Sequence, residues 1–132
     1  MDHKRILLVD DEPQLTKLLK MNLDDSGVYD VATANDGPQA LAQVAACRPD
    51  LIVLDVLMPG MDGGEVAARL RAAPATCNIP IIFLTAVVSR NEVRSNGGQL
   101  SGAPCLAKPV NMEELLQYIA TALNAAHEGG ET

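Results

Sequence analysis

The 132-residue chain has no tryptophan, one phenylalanine and two tyrosines, so aromatic residues make up only 2% of it. Phe83, Tyr29 and Tyr118 are too few to build a stacking platform for single-stranded nucleic acid. The core must come from leucine, valine, isoleucine and alanine instead. Histidine is confined to His3 and His127, near the two ends. The three cysteines, Cys47, Cys77 and Cys105, form neither a CxxC pair nor a metal-ligand spacing. A disulfide scaffold and a zinc site are both poor readings, and small apolar thiols in a reducing compartment are the better one. Positive charge is scarce: Lys plus Arg number 10 against 17 Asp plus Glu, a net of −7. That balance argues against direct nucleic-acid binding and against a polybasic membrane anchor. There is no apolar run of about 18 residues, and Met1 to Arg5 lead into a short one only, so neither a membrane span nor a signal peptide is expected. The expected location is cytoplasmic.

What the chain does have is 48% hydrophobic residues, enough for a packed core. Ile6-Leu7-Leu8-Val9 is apolar at every position, as a strand buried on both faces would be. Pro13 suits a first helical position behind the acids Asp10, Asp11 and Glu12, and Leu15, Leu18, Leu19 and Leu23 follow at helical spacing up to Ser26-Gly27. Tyr29, Val31 and Thr33 alternate as a less buried strand. A turn over residues 35–38 opens a helix with the stripe Ala40, Leu41, Val44 and Ala45. Leu51-Ile52-Val53-Leu54 and Ile81-Ile82-Phe83-Leu84 repeat the first pattern, with a helix bearing Val66, Ala67 and Leu70 between them. Ser89 to Glu92 match a capping box, so a further helix is expected to start there. Cys105-Leu106-Ala107 is a short strand candidate, and an Asn111-headed cap opens a last helix with Met112, Leu115, Leu116, Ile119 and Leu123 on one face.

Strands alternating with helices predict an α/β fold, a doubly wound five-stranded parallel sheet with helices on both faces. The polar second and the short fifth strand belong at the edges, which gives the order 2-1-3-4-5. The predicted domain covers residues 1–126, and 127–132, without an apolar residue, form a flexible tail.

Three central apolar strands and one edge strand each end in a polar residue. Asp10 and Asp11 end the first, Asp55 the third, Thr85 the fourth and Lys108 the fifth. In a parallel sheet these ends share one edge, where doubly wound proteins bind ligands. Singly, each residue has an ordinary reading as a cap, a turn residue or a solvated side chain. Together they place three carboxylates opposite a hydroxyl and an ammonium. Clustered carboxylates need a shared proton or a cation between them. All-oxygen ligands indicate a hard ion, and a phosphate-handling site favours Mg²⁺. With no histidine, serine or cysteine nucleophile at these ends, a carboxylate is the acceptor if the chemistry is covalent.

The motifs Leu7-Leu8-Val9-Asp10-Asp11-Glu12, the run from Asp50 to Gly63, Pro80 to Ala86, and Leu106-Ala107-Lys108-Pro109 occur in this order. On them the chain, from Lys4 to about Ala125, resembles a receiver domain of two-component response regulators. The resemblance implies that Asp55 accepts a phosphoryl group from a sensor histidine kinase or a phosphotransfer protein. It also implies that Asp11, Asp55 and the backbone carbonyl of Leu57 hold Mg²⁺, with Asp10 joined to it through water. Thr85 would hydrogen-bond the phosphoryl oxygens, Lys108 would pair with them, and the Lys108–Pro109 bond would be cis. Leu57 and Val87 stand where the family controls the path of attacking water, so slow loss of the phosphoryl group is implied. The pattern departs from the family at Cys105, which replaces the usual Tyr or Phe, and at the glycine-rich stretch around Gly97-Gly98. Signalling is therefore expected to act through residues 87–102 and not through a ring.

The expected product is a phosphoacceptor signalling domain that catalyses only its own phosphorylation and dephosphorylation. It would be stand-alone or excised from a larger regulator, a monomer or weak homodimer, with an unknown downstream protein partner. A phosphatase of the haloacid-dehalogenase-like group would need Asp-x-Asp after the first strand, and Asp10-Asp11-Glu12 does not supply it. A flavin carrier would need a Ser/Thr/Gly-rich phosphate loop where this chain is acidic.

Overall fold

The structure is a computed structural model that describes residues 3–86, 99–100 and 103–130. The elements follow in the order β1 (Lys4–Val9), α1 (Pro13–Asp25), β2 (Tyr29–Ala34), α2 (Gly37–Cys47), β3 (Leu51–Asp55), α3 (Gly63–Ala72), β4 (Ile81–Thr85), β5 (Gln99–Leu100), β6 (Ala103–Ala107) and α4 (Met112–Gly130). Five strands are parallel and ordered β2-β1-β3-β4-β6, the expected doubly wound arrangement.

Strand side chains alternate between faces, and that alternation divides the core in two. Ile6, Leu8, Leu51, Val53, Ile82, Leu84 and Leu106 point to one face, where Leu19 and Leu23 of α1 and Leu115 and Ile119 of α4 cover them. Leu7, Val9, Ile52, Leu54, Ile81, Phe83 and Cys105 point to the other, under Ala40 and Val44 of α2 and Val66, Ala67 and Leu70 of α3. This is why the central strands are apolar at every position: both faces are roofed.

Side chains start three of the helices. Asp36 Oδ1 accepts the Gln39 N–H at 2.7 Å, Asp62 Oδ1 the Glu65 N–H at 2.9 Å, and Asn111 Oδ1 the Glu114 N–H at 3.0 Å. At α1, Pro13 takes the first helical position behind the acids, as expected, but without a side-chain cap. Glu12 makes no side-chain cap and the first turn holds no acid, while Asp10 Oδ1 takes the Glu12 N–H at 2.9 Å, ahead of the helix. Two apolar stripes are narrower than expected. Leu18 is 54% exposed, because α1 turns Thr16, Leu19 and Leu23 inward, and Ala45 of α2 is exposed beside buried Ala40 and Val44.

At the far edge, β6 begins at Ala103, two residues before the expected Cys105. The two-residue β5 pairs antiparallel with it, Gln99 opposite Pro104 and Leu100 opposite Ala103, making a six-stranded sheet. So short a strand carries no periodicity for a sequence reading to find. The helix expected from Ser89, the Gly97-Gly98 pair and Val87 lie outside the described residues, as does most of 87–102. The last helix, α4, continues through His127 to Gly130. Lys108–Pro109 is cis, as the resemblance implied.

Candidate functional site

The parallel register brings the carboxyl ends of β1, β3, β4 and β6 side by side. Val9 lies opposite Leu54, Asp55 opposite Leu84, and Thr85 opposite Ala107. Asp10 follows β1 and its N–H donates to the Ala34 carbonyl at 3.2 Å. Asp55 is the last residue of β3 and Thr85 the last of β4, and Lys108 follows β6 with its N–H on the Thr85 carbonyl at 2.9 Å. Asp10, Asp55 and Thr85 are among the few buried polar residues, at 1%, 2% and 2% exposure.

Asp10, Asp11 and Asp55 each offer a carboxylate oxygen, and these oxygens all lie within 4.8 Å of one another. Asp11 is exposed and the other two are buried, so the cluster opens to solvent through Asp11. Lys108 Nζ stands 2.7 Å from Asp10 Oδ2, 3.4 Å from Asp55 Oδ2 and 3.9 Å from Glu12 Oε1. One ammonium thus serves three acids. Burial, and then the Asp10 charge, push the Asp55 carboxyl from 3.8 to about 6, against the opposing pull of Lys108 and the Leu57 N–H. Burial acts to lower the Lys108 pKa, but its contacts with Asp10 and Asp55 outweigh burial and raise it. Lys108 therefore stays charged at neutral pH.

The donor set suits a hard divalent cation. All three ligating groups are carboxylates, and Asp10 Oδ2 is buried without a hydrogen-bond partner. Its neighbour is Lys108 Nζ, an ion pair at 2.7 Å. Three clustered carboxylates keep a net negative charge beside one ammonium, which a hard divalent cation such as Mg²⁺ offsets and a neutral ligand does not.

After β3 the chain folds back on the strand end. Gly60 has φ +75°, the left-handed region that glycine enters without a Cβ penalty. Gly63 N–H donates to the Val56 carbonyl at 2.9 Å, and a Cβ on Gly63 would overlap the Asp55 carbonyl oxygen. Only glycine permits this close pass behind Asp55. Leu57, two residues beyond Asp55, keeps its side chain 57% exposed.

All the charged residues expected at the site converge there, with Thr85 buried at the neighbouring strand end. Reading the sequence missed Glu12 as a third acid facing Lys108, Gly63 as the close-packing residue, and Asn35, whose amide reaches the Asp10 carbonyl at 2.8 Å. Asn35 and Gly63 had a signal in the turn residues that precede two helices, but not one that named their contacts.

Residues 6–120 match the family described as response regulator receiver domain. The chain is 50% identical over 113 residues to the alkaline phosphatase synthesis transcriptional regulatory protein PhoP of Bacillus subtilis, covering 86% of this chain and 45% of that protein. It is 43% identical over 107 residues to response regulator PleD of Caulobacter vibrioides, covering 81% of this chain and 23% of that protein. The chain thus spans less than half the length of either relative. Among solved structures, the chemotaxis protein CheY4 of Vibrio cholerae superposes with a TM-score of 0.78 at 33% identity, covering 92% of this chain and 99% of that one. On its sequence, its topology and the residues at its sheet edge, the chain belongs to the response regulator receiver domain family.

Proposed function

We propose that this receiver domain accepts a phosphoryl group on Asp55, in a Mg²⁺-dependent reaction, from a phosphohistidine on a sensor kinase or a phosphotransfer protein. The observation that carries the reading is the placement of Asp55: buried at a strand end, within reach of Asp10 and Asp11 on one side and of Lys108 Nζ, at 3.4 Å, on the other. At neutral pH a carboxyl with a pKa of about 6 is mostly ionised, so Asp55 is available as the nucleophile. One of its oxygens forms the new P–O bond as the P–N bond to the donor imidazole breaks. Charge in this transition state lies on the peripheral oxygens of the transferring group. The cation that Asp10, Asp11, Asp55 and the Leu57 carbonyl would hold supplies positive charge against those oxygens. Lys108 supplies a second positive charge and the Thr85 hydroxyl a hydrogen bond. The leaving imidazole takes its proton from solvent.

The domain acts on its own acceptor and signals to a protein partner by a change of conformation; it turns over no external substrate. The reading fits a cytoplasmic module, and among the described residues no helix is long and apolar enough to cross a membrane. The test is transfer from a radiolabelled phosphorylated phosphotransfer protein. An aspartyl phosphate loses its label to hydroxylamine, and chelation of Mg²⁺ prevents labelling. Label that survives hydroxylamine, or transfer that proceeds in excess chelator, contradicts the proposal.

A further inference from the structure

Asn35 follows the end of β2, beside the end of β1 that supplies Asp10 and Asp11, and its side chain reaches the turn after β1. Nδ2 stands 2.8 Å from the Asp10 backbone oxygen and 3.1 Å from Thr16 Oγ1. A carbonyl oxygen only accepts, so the amide nitrogen must face it, and the orientation of Asn35 is fixed. The proton inventory then closes. One Nδ2 hydrogen goes to Asp10 and the other to Thr16, whose hydroxyl gives its own hydrogen to the Pro13 carbonyl at 3.1 Å. Thr16 is 2% exposed, so these bonds are shielded from water. The clamp is anchored behind as well, because the Asn35 N–H donates to Gln39 Oε1 at 2.9 Å in the first turn of α2.

The turn from Asp10 to Pro13 is therefore held at three points: the Asp10 carbonyl by Asn35, the Glu12 N–H by Asp10 Oδ1 at 2.9 Å, and the Pro13 carbonyl by Thr16. This turn carries Asp10 and Asp11. Without a cation those two carboxylates and Asp55 repel one another, and an unheld turn would relax by letting them spread. We propose that Asn35, acting through Thr16 and the Asp10 carbonyl, is a positioning residue that keeps Asp10 and Asp11 in cation-binding geometry against their own repulsion. The proposal rests on the reading of Asp10, Asp11 and Asp55 as the divalent-cation site. Outer partners that orient metal ligands typically change affinity 10–100-fold when removed.

The test is calorimetric titration of the full chain with MgCl₂, joined to amide hydrogen exchange on the metal-free protein. Asn35→Ala is expected to weaken Mg²⁺ binding by about tenfold, with the circular dichroism of the folded chain retained. Thr16→Val, which removes one hydroxyl at constant shape, is expected to weaken it less but in the same direction. In the metal-free protein, Asn35→Ala is expected to speed exchange at the Glu12 amide while amides in the centre of β3 are unchanged. A purely structural role would lower the melting temperature but leave Mg²⁺ affinity as it was. An unchanged affinity in folded Asn35→Ala overturns the proposal, and if that variant fails to fold, an unchanged affinity in Thr16→Val overturns it. A wild-type chain that binds no Mg²⁺ overturns the cation-site reading, and exchange at Glu12 then judges the clamp by itself.

Discussion

At Asp55, burial and the neighbouring Asp10 charge both act against ionisation, and Lys108 offsets them only in part. The carboxyl is raised from 3.8 to about 6, so between those values the native state holds a proton that the unfolded chain has released. Stability from this group is fully present below the lower value and is lost as pH rises through the upper one. The full span corresponds to a ceiling of roughly 3 kcal/mol. In chelator-treated protein, Asp55→Asn is therefore expected to be more stable than the parent by about 1–3 kcal/mol near pH 7.5, and no more stable near pH 4, as read by urea unfolding. A variant no more stable than the parent near pH 7.5 contradicts this. Gly63 is the other sensitive position. Gly63→Ala drives a methyl group into the Asp55 carbonyl and is expected to cost about 2 kcal/mol or more, read as a lower urea midpoint. The charged site residues were legible in the sequence because each ends an apolar run. The clamp made by Asn35 was not, because its partners Asp10 and Thr16 lie 25 and 19 positions away in the chain and only folding brings them together.

The helices differ in how they start, and the difference is measurable. Asn111 caps α4 directly after the cis Lys108–Pro109 turn, whereas Glu12 precedes α1 without a capping bond. Asn111→Ala is expected to cost about 1 kcal/mol of unfolding free energy, and Glu12→Ala less than about 0.5 kcal/mol, despite standing at the head of its helix. Equal losses in the two variants would contradict this assignment of caps. Most elements were legible from pattern: fully apolar runs gave β1, β3 and β4, and the stripe through Leu115 and Ile119 gave α4. Leu18 misled because it belongs to a leucine-rich helix whose inward face is shared by Thr16, a polar residue satisfied by its own helix and by Asn35. The β5 segment was hidden because two residues carry no pattern and its place is set by antiparallel pairing with β6 and not by its composition.

At the scale of the whole molecule, two separate apolar layers hold a single sheet, and the polar ends of four strands meet at one edge. That architecture followed from the alternation of strand and helix patterns, since right-handed crossovers leave few other ways to bury strands on both faces. A chain with net charge −7 gathers three carboxylates at that edge, so a cation there should stabilise the fold as a whole. Mg²⁺ at about 100 times its dissociation constant is expected to add about 2.7 kcal/mol to unfolding, seen as a higher melting temperature, and Asp11→Ala is expected to lose most of that gain at the same concentration. A gain undiminished in Asp11→Ala would move the cation elsewhere. The most direct test of the central claim is the intact mass of the chain after incubation with acetyl phosphate and Mg²⁺. The wild-type chain is expected to gain the mass of one phosphoryl group and Asp55→Asn to gain none; an equal gain in Asp55→Asn would contradict the assignment of Asp55 as the acceptor.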